Sequence, residues 1–586
     1  MTHLADDGLV DFADAAVAGF ARAFAPWVRP APGGVVRRTD DPSPRVAIVV
    51  GGGSGHYPAF CGLVGPGLAH GAAMGNVFAS PSAQQVYAIA RAADRGRGVL
   101  LAYGNYAGDV LNFNEAQRRL REEGVSCETV RVTDDVSSAP PDSRHLRRGI
   151  AGGLAVFKIA GAAAAEGLPL TDVLRLAGRA NDRTRTLGVA FGGCTLPGAA
   201  APLFTVPGGR MAVGMGIHGE PGIEETAVPS AGQLADRLVG TLLGELPADV
   251  PQARGARAVA ILNGLGGVKY EELFGLYDAV GQRLERAGVR IVEPEVGELV
   301  TSLEMAGVSL TLCWLDDELE RLWGAPASTP AFRKGTVAPL ADGAVVTHAD
   351  PAATPATTPG GVTPAGAAGR RGAAAVRDAL AAAARAVDTH VDELGRLDAV
   401  AGDGDHGIGM RRGVHAALDA AGRVVDAGGG TATALRHAGD AWAERAGGTS
   451  GMLWGVALRA AGDAVGDETA PDAQTLAAAI DAATAAVLGA GGAAVGDKTM
   501  ADALVPFRDA FRAAAPDGLT AALAAAVPVA EASARATAGM TARLGRARTH
   551  GDRSLGTPDP GAVSAALVLR AVLDTATAPA TLSEAR

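Results

Sequence analysis

The sequence is poor in aromatic residues, in basic runs, in paired cysteines and in long uninterrupted apolar stretches. Each shortage removes a class of protein. Phe, Trp and Tyr make up 4% of the 586 residues, and the net charge is −11. With no basic tract and no aromatic-basic interleaving, nucleic acid is not the expected partner. The four cysteines, Cys61, Cys127, Cys194 and Cys313, are scattered without metal or disulfide spacing. That usage is expected of a reducing cytoplasm. The opening stretch MTHLADDGLVDFADAAVAGF carries acids where a secretory leader has basic residues. No apolar run reaches about 20 residues, so no membrane-spanning helix is expected. A soluble cytoplasmic chain is the expectation.

Glycine is plentiful, at 81 residues, on an alanine-rich background. The length exceeds what one core supports, so more than one domain is expected. ADPAATPATTPGGVTPAGAAG, 349–369, offers too little apolar surface to offset its ordering entropy. It marks a linker, taken as 337–370. Residues 1–336 mix β-branched runs (VAIVV, VLLAY, ETVRVT, RAVAILNGLG) with helix-period segments, an α/β pattern. Residues 371–586 carry alanine-rich helical periodicity with almost no strand candidates, an all-α pattern.

Two glycine-rich stretches raise chemical questions. GGGSGHYPAF, 51–60, follows the apolar run Val46 to Val50. It lacks the lysine of a phosphate loop. His56 stands where a dinucleotide fingerprint or a nucleophile elbow needs glycine. It fits a small-ligand loop presenting His56, or a tight turn with a structural histidine. LDAVAGDGDHGIGM holds Asp398, Asp403 and Asp405. On a continuous helix Asp403 would point roughly 140° from the other two. Gly402, Gly404 and Gly407 break the helix, which lets three carboxylates converge on a cation. Oxygen-only ligation suits Mg²⁺ held with phosphates. An acidic surface turn is the alternative. AGGTSGMLWG, GAGGAAVGDKTMADALVP and GRARTHGDRSLGTPDPGA add three further polar, glycine-rich breaks between apolar helices.

These motifs, in order, resemble the nucleotide-binding domain of the dihydroxyacetone kinase family. The resemblance implies an antiparallel barrel of eight helices. It implies Mg²⁺ on Asp398, Asp403 and Asp405. It implies ATP contacts from His406, Gly407, Ile408, Gly409, Thr449, Ser450, Gly491, Met500, Arg546, Asp559, Pro560 and Gly561. The first half resembles the family's ketone-binding domain of two α/β subdomains. The matching stretches are GGGSGHYPAF, GNVFASPSAQQV, GNYAGDVLNF, RMAVGMGIHGEPGIEE and VTSLEMAGVSLTL. By that resemblance His218 binds the ketone covalently as a hemiaminal, with Gly216 and Gly219 clearing room. Asp109 and His56 form the acid–base pair. Gly53, Ser54, Ser80 and Gly104 join His56, Asp109 and His218 around the substrate.

Two departures bear on the substrate. The family loop G-S-G-H-E-P-A-H-A-G reads GSGHYPAFCG here, with Tyr57, Phe60 and Cys61 changed. The family stretch K-N-Y-T-G-D reads GNYAGD, with Gly104 in place of lysine. The expected activity is ATP-dependent phosphorylation of a terminal hydroxyl of a short ketose. Erythrulose (D- favoured) is preferred over dihydroxyacetone. A ketose sensor and a phosphocarrier-dependent kinase are the other classes. The resemblance also implies a homodimer.

Overall fold

The computed structural model describes residues 12–38, 43–197, 199, 201–337, 362–402, 404–468, 470–545, 547–548 and 553–577. The chain forms two compact units, Met1–Thr354 and Pro355–Arg586. Asp403, Arg546 and most of the expected linker lie outside the described residues.

Among the described residues the first unit holds two large sheets and a two-stranded one, Ala327–Ser328 with Arg333–Lys334. The first is built from β1 (Val28–Ala31), β2 (Gly34–Arg37), β3 (Arg45–Ser54), β4 (Gly71–Val77), β5 (Gly96–Gly104) and β6 (Cys127–Val132). Their order is β1-β2-β4-β3-β5-β6, with β4, β3, β5 and β6 parallel. The helices α1 (Phe12–Ala23), α2 (Ala83–Ala93), α3 (Ala107–Glu122), α4 (Gly153–Ala165) and α5 (Leu170–Asp182) belong to this half. Helices on both faces explain why β3 reads as an unbroken apolar run. Val46, Ile48 and Val50 pack into one core, and Ala47 and Val49 into another. Each buried valine or isoleucine contributes about 1.5–3 kcal/mol. Ser82 and Gln85 form a capping box that starts α2.

The second sheet is mixed. It holds β7 (Thr184–Ala190), β8 (Arg210–Val213), β9 (Glu224–Ala227), β10 (Arg257–Gly264), β11 (Arg290–Ile291), β12 (Glu295–Gly297) and β13 (Gly307–Leu315). Its order is β11-β10-β13-β7-β8-β9, with β12 also on β10. Helices α6 (Ala231–Leu243), α7 (Tyr270–Arg286) and α8 (Asp317–Gly324) complete the unit.

One expectation changes at the opening motif. Gly51, Gly52 and Gly53 belong to β3 itself, not to a loop after it. A Cβ on Gly52 would stand 2.4 Å from the Phe60 ring, and one on Gly53 2.9 Å from Phe78. Gly52 admits the Phe60 ring to the strand, and Gly53 admits the backbone of Phe78 and Ala79.

The second unit is helical: α9 (Ala367–Asp398), α10 (His406–Asp426), α11 (Thr431–Ala446), α12 (Gly448–Val465), α13 (Ala473–Gly491), α14 (Ala501–Ala514), α15 (Leu519–Ala536) and α16 (Pro560–Thr577). Each packs on the next, and α16 packs back on α9. Trp442 and Trp454 stack in its core, their centroids 4.7 Å apart. Ala367 to Arg370, assigned to the linker by composition, form the first turn of α9. A Cβ on Gly369 would lie 1.9 Å from the Asp467 carbonyl, so the turn packs closely there.

Contrary to expectation, α13 is long and apolar enough to cross a membrane by length and composition. Alanine supplies that character in place of large apolar side chains. The helix packs against α12 and α14 and buries Ala473, Ala479, Thr484 and Val487.

Candidate active site

A cavity opens at the carboxyl ends of β3 and β5, where ligands of parallel sheets gather. Its space is about 510 Å³, open mouth included. Gly53 and His56 reach it from the end of β3, and Gly104 from β5. Asp109 comes from the first turn of α3. Ile217 and His218 come from the loop after β8. The polar side chains of the lining are His56, Tyr106, Asp109 and His218. The remaining wall is glycine and apolar groups, including Phe60, Leu154 and Phe157.

The two histidines meet. His56 Nε2 lies 3.0 Å from His218 Nε2. His56 Nδ1 lies 2.8 Å from the Thr301 carbonyl, an acceptor only, so Nδ1–H donates. Phe78 stacks on His56 at 4.9 Å, and Tyr106 meets His218 edge-on at 4.7 Å. The Tyr106 hydroxyl is buried with no hydrogen-bond partner among the described residues. Burial, with the Glu220 charge nearby, holds its pKa well above the ordinary value. It stays protonated.

Four residues around these histidines went unnoticed in the sequence. Glu220 Oε1 lies 3.0 Å from His218 Nδ1, and Glu220 Oε2 accepts from the His218 backbone N–H at 3.0 Å. Arg148 pairs with Asp135 at 2.7 Å and approaches Glu220 at 3.8 Å. Tyr106 and Phe78 brace the rings. The one sequence signal was the acid two residues after His218 in IHGEPG.

Some residues expected at the site are engaged with other parts of the protein. Ser54 spends its hydroxyl on the Gly75 carbonyl at 2.6 Å, and Ser80 bonds the Pro81 carbonyl at 3.0 Å. Neither lines the cavity. Gly216 and Gly219 clear room for protein, not ligand. A Cβ on Gly216 would stand 2.1 Å from Glu220 Oε2, and one on Gly219 2.1 Å from the Phe204 ring. Gly219 also has φ +82°.

In the helical unit Asp398 ends α9 and Asp405 precedes α10, so the helix break lies between them. One Asp398 carboxylate oxygen is buried without a partner among the described residues. Burial and the Asp398 charge push Asp405 up to about 7. Burial and the Asp398 and Asp502 charges push Asp559 up to about 7, although its carboxylate caps α16 by accepting from the Ala562 N–H at 2.7 Å. Crowded, under-satisfied carboxylates fit a divalent cation. Among the described residues no group of three metal-ligating side chains forms. Asp403, the third expected ligand, falls outside them.

The other expected nucleotide contacts are scattered over the breaks of this unit. Gly407, Ile408 and Gly409 lie in the first turn of α10. Thr449 and Ser450 begin α12, Gly491 ends α13 and Met500 precedes α14. Pro560 and Gly561 open α16. His406 is buried and spends Nε2 on Ser564 Oγ at 2.9 Å. Arg546 lies outside the described residues.

Residues 18–331 match the Dak1 domain and residues 400–574 the DAK2 domain. The chain belongs to the dihydroxyacetone kinase family. It is 54% identical over 568 residues to the L-erythrulose kinase of Pectobacterium atrosepticum, covering 96% of this chain and 94% of that one. It is 51% identical over 579 residues to the D-erythrulose kinase of Mycolicibacterium smegmatis, covering 98% and 99%. The dihydroxyacetone kinase of C. freundii, solved with AMP-PNP and Mg²⁺, is 30% identical with a TM-score of 0.52, covering 98% and 100%. Both halves of a single-chain dihydroxyacetone kinase are therefore present, in family order.

Proposed function

We propose that this kinase transfers the γ-phosphoryl group of ATP to a terminal hydroxyl of erythrulose. The carrying observation is the cavity that gathers His56, Asp109 and His218 around Gly104. Near-full-length similarity to kinases named for both erythrulose enantiomers supports the four-carbon substrate. ATP and Mg²⁺ are its cofactors. It is read as a homodimer, as the resemblance implies.

A short ketose has little apolar area, so burial alone holds it weakly. A covalent bond to His218 supplies the hold and excludes polyols that lack a carbonyl. With the carbonyl carbon fixed, the terminal hydroxyl reaches Asp109. That carboxylate accepts the hydroxyl proton as the phosphoryl group arrives. Asp398 and Asp405, with Asp403, would hold the cation. Bound Mg²⁺ neutralises phosphate charge.

The test is a coupled ADP-release assay with dihydroxyacetone, D-erythrulose, L-erythrulose and glycerol. Turnover of an erythrulose above dihydroxyacetone, with none of glycerol, is expected. A higher kcat/KM for dihydroxyacetone than for both erythruloses would overturn the substrate.

Gly104 gives a second prediction. A Cβ there would lie 3.1 Å from the Gly149 carbonyl and 3.1 Å from the Tyr106 ring. Gly104→Lys restores the family residue and fills that side of the cavity. It should shift the kcat/KM ratio toward dihydroxyacetone by roughly tenfold, about 1.4 kcal/mol. The paired assay of the two ketoses reads it directly.

A further inference from the structure

We infer that Glu220, backed by Arg148, is the positioning residue that turns His218 Nε2 into the carbon nucleophile of this site. The inference rests on the covalent reading above and says how the imidazole is prepared.

Neutral histidine adds through whichever nitrogen lacks the proton, so the tautomer decides the chemistry. Glu220 uses both carboxylate oxygens on one residue: Oε1 on His218 Nδ1 and Oε2 on the His218 N–H, each at 3.0 Å. An ionised carboxylate only accepts, so Nδ1 carries the hydrogen. The lone pair is left on Nε2, where it accepts from His56 Nε2 at 3.0 Å, so His56 carries hydrogens on both nitrogens until the ketone takes its place. The two-point grip also fixes the ring plane. The loop is shaped around this carboxylate, because Gly216 leaves no space for even a methyl group beside it.

Burial would otherwise disfavour the Glu220 charge, since its side chain is 3% exposed. Arg148, 8% exposed, opposes it at 3.8 Å and is held by Asp135 at 2.7 Å and by the Gly214 carbonyl. Glu220, Arg148 and Asp135 therefore sum to one negative charge. On addition, the Nε2 pair forms the bond to the carbonyl carbon. The C=O π pair moves to oxygen, and that oxygen takes a proton from solvent. The ring, carrying Nδ1–H and Nε2–C, becomes a cation against that negative charge. The cluster thus favours the adduct over the free site, which is differential binding. Tyr106, protonated and edge-on to the ring, adds no competing charge.

The experiment uses the full-length chain without ATP and [2-¹³C]-labelled dihydroxyacetone or erythrulose. In wild type the labelled signal should move from the ketone to the tetrahedral region. Histidine ¹⁵N labelling should show Nδ1 protonated and Nε2 substituted. Glu220→Gln should lower adduct occupancy and raise ketose KM by roughly 10²-fold. ATP KM should be unchanged, and the same spectra should report a folded chain. Arg148→Lys, which keeps the charge, should fall between. An adduct through Nδ1 in wild type would overturn the proposal without any variant. So would wild-type adduct occupancy in Glu220→Gln. Absence of any adduct in wild type would instead remove the covalent reading, and this inference with it.

Discussion

His218→Ala is expected to lower kcat/KM for erythrulose by about 10³-fold or more. The expectation follows from what the cavity lacks. Its polar side chains are four, and Phe60, Leu63, Leu154 and Phe157 offer a small polyhydroxy ketone no hydrogen bond. On the proposed covalent reading, removing His218 leaves the ketose few fixed contacts and nothing to set its terminal hydroxyl beside Asp109. Alanine also leaves Glu220 without its imidazole partner, in a site built around that pair. The loss should fall on the ketose, with ATP KM preserved. A steady-state matrix of both substrates separates the two. Equal losses for ketose and ATP would mean a general structural effect.

Asp398→Asn is expected to lower kcat by roughly 10³-fold and to raise the Mg²⁺ requirement. Asp398 is the shared neighbour whose charge raises both Asp405 and Asp559. The same crowding gives a pH signature. Asp405 rises from 3.8 in its ordinary state to about 7, so the folded chain binds this proton more tightly than the unfolded chain. That contribution to stability is present below about 4 and is lost as pH rises to about 7. In chelator, the melting temperature of the metal-free protein should therefore fall between those values. Added Mg²⁺ should restore it most near the upper end, where the carboxylates are ionised. A flat Mg²⁺ effect across that window would exclude Asp405 as a ligand. In Asp398→Asn the pH-dependent fall should shrink, since the neighbouring charge is gone.

The motifs legible in the sequence are those whose chemistry needs local residues at short spacing. GDGDHG announced a carboxylate cluster because glycines interrupt a helix between acids. The α/β and all-α halves were legible from periodicity alone. The residues that were not legible act across long sequence gaps. Arg148 meets Glu220 only because β6, the start of α4 and the loop after β8 converge. Phe78 reaches His56 from the end of β4. The glycines of β3 were misplaced for a related reason. Glycine after an apolar run reads as a turn, whereas here β3 continues, with the Phe60 ring and the Phe78–Ala79 backbone in the space that side chains on Gly52 and Gly53 would take. Ser54 and Ser80, which the resemblance puts around the substrate, donate their hydroxyls to the backbone carbonyls of Gly75 and Pro81.

The loop that carries His218 has no spare volume. Gly216 and Gly219 are each blocked from gaining a methyl group, one by a carboxylate and one by a ring. Elsewhere in the cavity, Phe60, Leu154 and Phe157 are apolar side chains that make none of that loop's hydrogen bonds, and a Cβ on Gly104 would meet the Gly149 carbonyl and the Tyr106 ring no closer than 3.1 Å. Mutational freedom is thus unevenly divided between the two walls. New substrates are reachable by random change on the Gly104 side, while the wall that carries His218 is locked. Directed evolution of this scaffold toward longer ketoses should accumulate its changes on the Gly104 side.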